Sequence, residues 1–226
     1  FKAEDGQLQK LSSSDFYAKL YRELKQKFPR NHFSIHVDDP SVLPCFIGSC
    51  DLLEIAFWSS SFAVDMMKNL EQDMTYAKKI ADSKPVIFWL GVSVPNSTCR
   101  TAEELRAAVY TTMILRGSGV IFHLGHGGIS PDRTRLWSLI SGINTEINQF
   151  YPEFADGAEL PLFVRNCSGD FLFAARRSPD RILLAVINRS WQEQKLEMET
   201  EQGTISALFT PLEPKLFSWN AYNSPK

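Results

Sequence analysis

The side chains with which this chain could do chemistry cluster where apolar runs give way to loops. They are Glu4 in FKAEDG, Asp38 and Asp39 at the end of HFSIHVDDP, Glu54 and Trp58 in DLLEIAFWSS, Trp89 in KPVIFWLGVS, and His123 and His126 in GSGVIFHLGHGG. A carboxyl whose pKa is raised by burial can protonate a leaving oxygen, and a second, ionised one can attack or hold charge. Glu54 shares strand parity with Ala56 and Trp58, so it faces one side of its strand with them. Buried there it needs a partner, and a structural ion pair accounts for it as well as a catalytic role does.

The histidines raise a metal pair, a phosphate cradle or a rim as alternatives. On a strand, residues three apart point to opposite faces, so His123 and His126 share one metal only if the chain turns at Gly125. No third histidine or nearby carboxylate completes a tetrahedral set, and neither metal nor cofactor is expected. The stretch GHGGIS (125–130) before a helix start offers backbone N–H groups and a helix dipole to a phosphate. The rim reading explains most: both histidines end a strand, with glycines easing the turn into the next helix.

These residues need elements to hold them. SSDFYAKLYRELKQKF (13–28) spaces Phe16, Leu20, Leu24 and Phe28 four apart behind a serine cap, the stripe of a helix stopped by Pro29. HFSIHV, DLLEIAF, PVIFWLGV and GVIFH read as strands, the helices between them running from about Val64 to Ala81 and from the capping box at Thr101-Ala102-Glu103-Glu104 to Arg116, closed by Gly117. Ser130-Pro131 opens a last helix reaching about Phe150. Strands apolar on both faces, alternating with helices, describe a parallel sheet covered by helices. After Gly157 six short β-like runs follow one another without helices, the pattern of a small antiparallel sandwich. The expected division is 1–156 and 157–226.

Bulk properties exclude several classes. The 226 residues are 44% hydrophobic and 22% charged with a net charge of −2, which suits a globular chain and no nucleic-acid partner, because no cluster of Lys and Arg is present to neutralise phosphates. No apolar run reaches the roughly 18 residues of a membrane span, and the opening residues lack the layout of a signal peptide. The chain opens on Phe1-Lys2-Ala3 rather than Met, as expected of a processed product or a piece of a longer chain. Cys45, Cys50, Cys99 and Cys167 show no zinc spacing; Cys45 and Cys50 are close enough for a local disulfide, and two packed thiols explain them equally well. Asn96, Asn166 and Asn188 head N-x-S/T triplets, so the expectation is a secreted or lumenal glycoprotein.

The order AEDG, a helix with Tyr21-x-x-Leu24-Lys25, a short strand, the strand carrying Asp51, then Lys84-Pro85-Val86-x-Phe88-Trp89, Glu104-Leu105-Arg106-Ala107-Ala108-Val109-Tyr110, Gly117-x-Gly119-Val120-Ile121-Phe122 and Leu136-Trp137-x-x-Ile140 resembles the second half of a (β/α)8 glycoside hydrolase of the retaining β-galactosidase or glycosidase-like kind. Such enzymes often carry a trailing β-sandwich. The resemblance implies a partial (β/α) TIM-type barrel over 1–156, followed by the sandwich. It makes Glu4 the match to a strand-four general acid, with Ala3 and Asp5 in place of the usual flanking Asp or Asn and Pro; an exposed Glu near a chain end is the alternative. The second carboxylate, about 5–9.5 Å away in such enzymes, is usual at the end of strand seven, and VIFWLGVS has none. Asp38, Asp39, Glu54 or a group from the N-terminal half of such a barrel are the remaining candidates. Relatives also carry a carboxylate where Ala56 stands.

The implied ligand is a carbohydrate: Trp58 and Trp89 at strand ends offer rings on which sugars stack, and Asp39, His123 and His126 offer hydrogen bonds. Core packing is the competing role for each tryptophan. The site residues are thus Glu4, Asp38 and Glu54 as catalytic groups and Asp39, Trp58, Trp89, His123 and His126 as substrate contacts. Three functions follow: a glycosidase using general acid/base carboxylates, a non-catalytic carbohydrate-binding or scaffold protein on a degraded barrel, and a phosphate-handling barrel using the 125–130 loop. Half a barrel leaves sheet edges and interior open, so a completing partner is expected, either the upstream half of the same precursor or a second polypeptide.

Overall fold

The computed structural model describes residues 13–57, 63–91, 101–123 and 133–221. Helix α1 (Ser13–Lys27) is followed by strand β1 (Ser34–Val37), two short 3₁₀ turns, β2 (Leu52–Phe57), α2 (Ala63–Ala81), β3 (Val86–Gly91), α3 (Ala102–Ile114), β4 (Gly119–His123), α4 (Arg133–Asn148) and α5 (Tyr151–Ala155). The four strands form one parallel sheet in chain order, β1-β2-β3-β4, as successive β/α units of a barrel wall require.

The faces of this sheet differ. Val37, Leu53, Ile55, Phe57, Val86, Phe88 and Leu90 are buried in one core with Met66, Leu70 and Met74 of α2 and Leu105, Ala108 and Val109 of α3. The opposite face carries His36, Glu54, Ala56, Trp89 and His123. The sequence reads these strands as apolar on both sides, and here the structure corrects it. Ile87, Trp89 and Ala56 register as apolar and mask a two-residue alternation that His36 and Glu54 make real.

Helix α3 begins with the expected capping box, Thr101 Oγ1 accepting from the Glu104 N–H and Glu104 Oε2 from the Thr101 N–H, each at 3.1 Å. Its end differs from expectation. The helix stops at Ile114 and Arg116, not Gly117, takes the left-handed turn at φ 62°. Gly117 N–H bonds to Thr112 O and Arg116 N–H to Met113 O, a Schellman closure. Glycine is required at 117 for close approach, because a Cβ there would lie 2.3 Å from Thr112 Cγ2. The last helix ends at Asn148, short of Phe150, and a separate turn, α5, begins with Pro152 at its first positions, where its missing N–H does no harm.

From Ala158 the chain is all β. Strands β5 (Ala158–Glu159), β6 (Val164–Ser168), β7 (Phe171–Arg177), β8 (Arg181–Asn188), β9 (Gln194–Thr200), β10 (Gly203–Phe209) and β11 (Pro214–Asn220) make two antiparallel sheets, β10-β9-β6 and β11-β8-β7-β5. Phe171, Leu184, Val186, Leu196, Met198 and Phe209 fill the space between them. The other face of the four-stranded sheet, with Leu183, Ala185 and Ile187, joins the core under α3, so the half barrel and the sandwich share buried surface.

Arg176 fastens that junction. It is 2% exposed, and its guanidinium donates to the carbonyls of Phe154 (2.8 Å), Met113 and Ile114 (2.9 Å each), capping the C-terminal ends of α5 and α3. Burial, with the Arg116 cation nearby, pushes its pKa down to about 10. Close by, the buried Glu153 accepts from Ser178 Oγ at 2.7 Å and Arg181 Nε at 3.0 Å. Arg189 bridges Glu71 of α2 (2.6 Å) and Asp170 of the sandwich (2.7 Å).

Candidate functional site

The face of the parallel sheet turned away from α2 and α3 is built row by row from the strand register. His36 pairs with Glu54 and Glu54 with Ile87; one step nearer the C-terminal ends, Ala56 pairs with Trp89; beyond that, Gly91 pairs with His123. Parallel register places all of these side chains on the same side of the sheet.

Trp89 is the centre of the group. Its indole Nε1–H donates to Glu54 Oε2 at 3.0 Å. Its ring centroid lies 4.7 Å from that of His36 at an interplanar angle of 71°, and 6.0 Å from that of His123 at 39°. Strands β1 and β3 lie about 10 Å apart, two strand spacings. To meet His36 the indole therefore leans across β2, where Ala56 presents only a methyl group. Ala56 is 3% exposed, as expected beneath a ring.

Glu54 finds the partner its burial demands in the Trp89 indole, and among the described residues no Lys or Arg pairs with it. Its side chain, 17% exposed, accepts the indole N–H and lies 4.0 Å from His36 Nδ1. The other imidazole nitrogen, His36 Nε2, is 3.4 Å from Asp38 Oδ1 at the end of β1. One imidazole accordingly stands between two carboxylates, one half-enclosed by the sheet and one 71% exposed. This arrangement can pass a proton or hydrogen-bond hydroxyls, and the indole can stack on an apolar ring face.

The structure brings Asp38, Glu54, Trp89 and His123 onto this face. It also adds His36, which sequence reasoning missed; the signal was the alternation in SIHV, with Ile35 and Val37 inward and His36 between them. Asp39 does different work: its Oδ1 accepts from the Ser41 N–H at 2.9 Å, capping the 3₁₀ turn Pro40–Cys45, and that bond holds its carboxyl below the usual range. Glu4, Trp58, His126 and the 125–130 loop lie outside the described residues. Among the described residues no group of three or more His, Cys, Asp or Glu could hold a metal ion, and no helix is long and apolar enough to cross a membrane. Cys45 and Cys50 are free thiols, Cys45 exposed and Cys50 buried.

No protein-family model and no curated protein matches this sequence. Solved structures do match. The ligand-free cyclic α-maltosyl-(1→6)-maltose hydrolase of Arthrobacter globiformis superposes over 92% of this chain and 53% of its own with a TM-score of 0.58 at 11% identity. The α-amylase of Geobacillus thermoleovorans, solved with acarbose, gives 91%, 57%, 0.58 and 13%. The maltogenic α-amylase AmyB of Thermotoga neapolitana gives 95%, 60%, 0.58 and 12%. The fold is part of a β/α barrel followed by a trailing antiparallel β-sandwich, the architecture these structures share with it. At these identities the likeness is one of fold. The chain spans between 53% and 60% of the length of these three relatives. In a half barrel of this kind the face bearing His36, Glu54, Trp89 and His123 is the wall turned to the barrel axis, and Trp89 and His123 lie toward the C-terminal ends of its strands, where barrel sites are built.

Proposed function

We infer that this chain is part of a carbohydrate-active, glycoside hydrolase-like protein, and that a saccharide lies along the axial wall with one sugar ring stacked on Trp89. The observation that carries this reading is the convergence of His36, Glu54, Trp89 and His123 on one face of the parallel sheet. An indole fixed by a hydrogen bond at its edge is a pre-ordered platform that loses little freedom when a sugar arrives. The imidazoles of His36 and His123 supply hydrogen bonds to hydroxyls. Hydrolysis in this reading draws its acid and base from Glu4, Asp38 and Glu54, with another polypeptide segment completing the ring of strands. Because structural relatives were solved with acarbose and with maltose, α-linked glucose oligomers are the first ligands to test.

A second reading is favoured by one contact. Glu54, the carboxylate placed deepest on this wall among the described residues, accepts the Trp89 indole N–H, which suits a positioning role and a protein that binds sugar without cleaving it. Calorimetric titration with maltooligosaccharides, alongside hydrolysis of an aryl-glycoside panel, separates the two. Trp89→Ala should weaken binding about tenfold, ~1.4 kcal/mol; unchanged affinity overturns the platform. Turnover abolished by Glu4→Gln or Glu54→Gln supports the enzyme, and tight binding without turnover supports the binding protein.

A further inference from the structure

Two of the three N-x-S/T triplets fall among the described residues, and their asparagines occupy opposite surroundings. Asn188, at the end of β8, is 0% exposed. Both hydrogens of its amide are in use, Nδ2 donating to Gln192 O at 2.8 Å and to Thr210 O at 2.9 Å, while Oδ1 accepts from the Ser190 N–H at 2.9 Å. The Ser190 hydroxyl of the same triplet accepts from the Gln192 N–H at 2.9 Å. A substituent on Asn188 Nδ2 would remove one of its two hydrogens, leave a carbonyl without its donor, and demand space where none is open to solvent.

Asn166 is exposed on β6, a strand whose single hydrogen-bonded neighbour in its sheet is β9. Val164 and Cys167 of the same strand pack toward the sandwich core, and a register shift between Val164 and Asn166 takes the strand out of regular pairing at this point. The triplet's Ser168 is exposed too, with its hydroxyl donating at 3.3 Å to Glu197 O.

We propose that Asn166 is an acceptor for an N-linked glycan and that Asn188, despite its triplet, is not. The donor class is a lipid-linked oligosaccharide diphosphate. Asn166 Nδ2 bonds to the anomeric carbon, the bond from that carbon to the diphosphate oxygen breaks, the lipid diphosphate leaves, and the amide gives up one proton. The attached glycan also screens the β6 side of the three-stranded sheet, where no further strand pairs among the described residues, against pairing with other chains.

The test is to secrete the full chain behind a leader peptide from a eukaryotic host, in an Asn96→Gln background, and map glycopeptides on the folded fraction by mass spectrometry. Glycan is expected at Asn166 and absent at Asn188; Asn166→Gln and Ser168→Ala should each abolish the glycan mass with no shift in the thermal midpoint of the enzymatically deglycosylated protein. Asn188→Gln should keep the glycan at Asn166 and lower the midpoint. Folded protein bare at Asn166, or folded protein carrying glycan at Asn188 with an unchanged midpoint, overturns the proposal.

Discussion

Replacing Arg176 by Met keeps a long, flexible side chain at the junction of half barrel and sandwich but removes every donor. The three bonds it makes, at 2.8, 2.9 and 2.9 Å, are charge-assisted and reach carbonyls at the C-terminal ends of two helices. Bonds of that kind contribute about 1.5–3 kcal/mol each. Against this stands the cost of keeping a guanidinium at 2% exposure with no carboxylate bonded to it, several kcal/mol that the Met variant recovers. The difference leaves Arg176→Met destabilised by about 3 kcal/mol, or about 6–12 °C in thermal midpoint for a chain of this size. Arg176→Lys retains the charge but lacks the fork that spans carbonyls from two helices, so it should fall between the two. Thermal unfolding followed by calorimetry and circular dichroism at pH 7 reads the effect. If Arg176→Met unfolds within about 2 °C of the parent, the junction does not depend on this cap and the reasoning fails.

Burial alone would raise the Glu153 carboxyl, but the bonds from Ser178 and Arg181 outweigh it and hold the carboxyl below its ordinary value of 4.5. Its contribution is therefore present above that value and lost as pH falls through the lower folded one. Glu153→Gln should be less stable than the parent at pH 7 by about 1–2 kcal/mol, with the gap closing in acid; a gap that stays constant down to pH about 3 would show that Glu153 adds no pH-dependent stability. For the thiols, in a Cys99→Ser background at pH about 7.5, Cys45 should react rapidly with a disulfide reagent while Cys50, buried and with its pKa raised by that burial, should react only on unfolding. Fast loss of Cys50 in the folded chain would show that the segment around the two 3₁₀ turns opens freely.

Most of the architecture was legible because it is written in local patterns. The stripe of Phe16, Leu20 and Leu24, the capping box at Thr101, and the unbroken β-like runs after Gly157 each signal their element without help from the rest of the chain. The two-faced character of the parallel sheet was harder to see, because Trp89, Ile87 and Ala56 count as apolar whether they face helices or an open wall. Cross-strand register is not a local property, so nothing in VIFWLG alone tells that Trp89 reaches over Ala56 to Glu54 and His36. The candidate site was accordingly half visible. Glu54, Trp89 and His123 stood out by type and position, whereas His36 gains its meaning only from the strand beside it, and Asp39 is absorbed by a turn that DDP begins.

The most direct test of the account follows the indole N–H signals of the tryptophans by NMR while maltooligosaccharide is added, with the Trp89 signal assigned by Trp89→Phe. The Trp89 signal should move in a saturable manner together with the ring signals of His36 and His123, and Glu54→Gln should change its starting position. Saturable shifts confined to Trp137, Trp191 or Trp219, with Trp89 and both histidines unmoved, would place any sugar elsewhere and contradict the proposed stacking on Trp89.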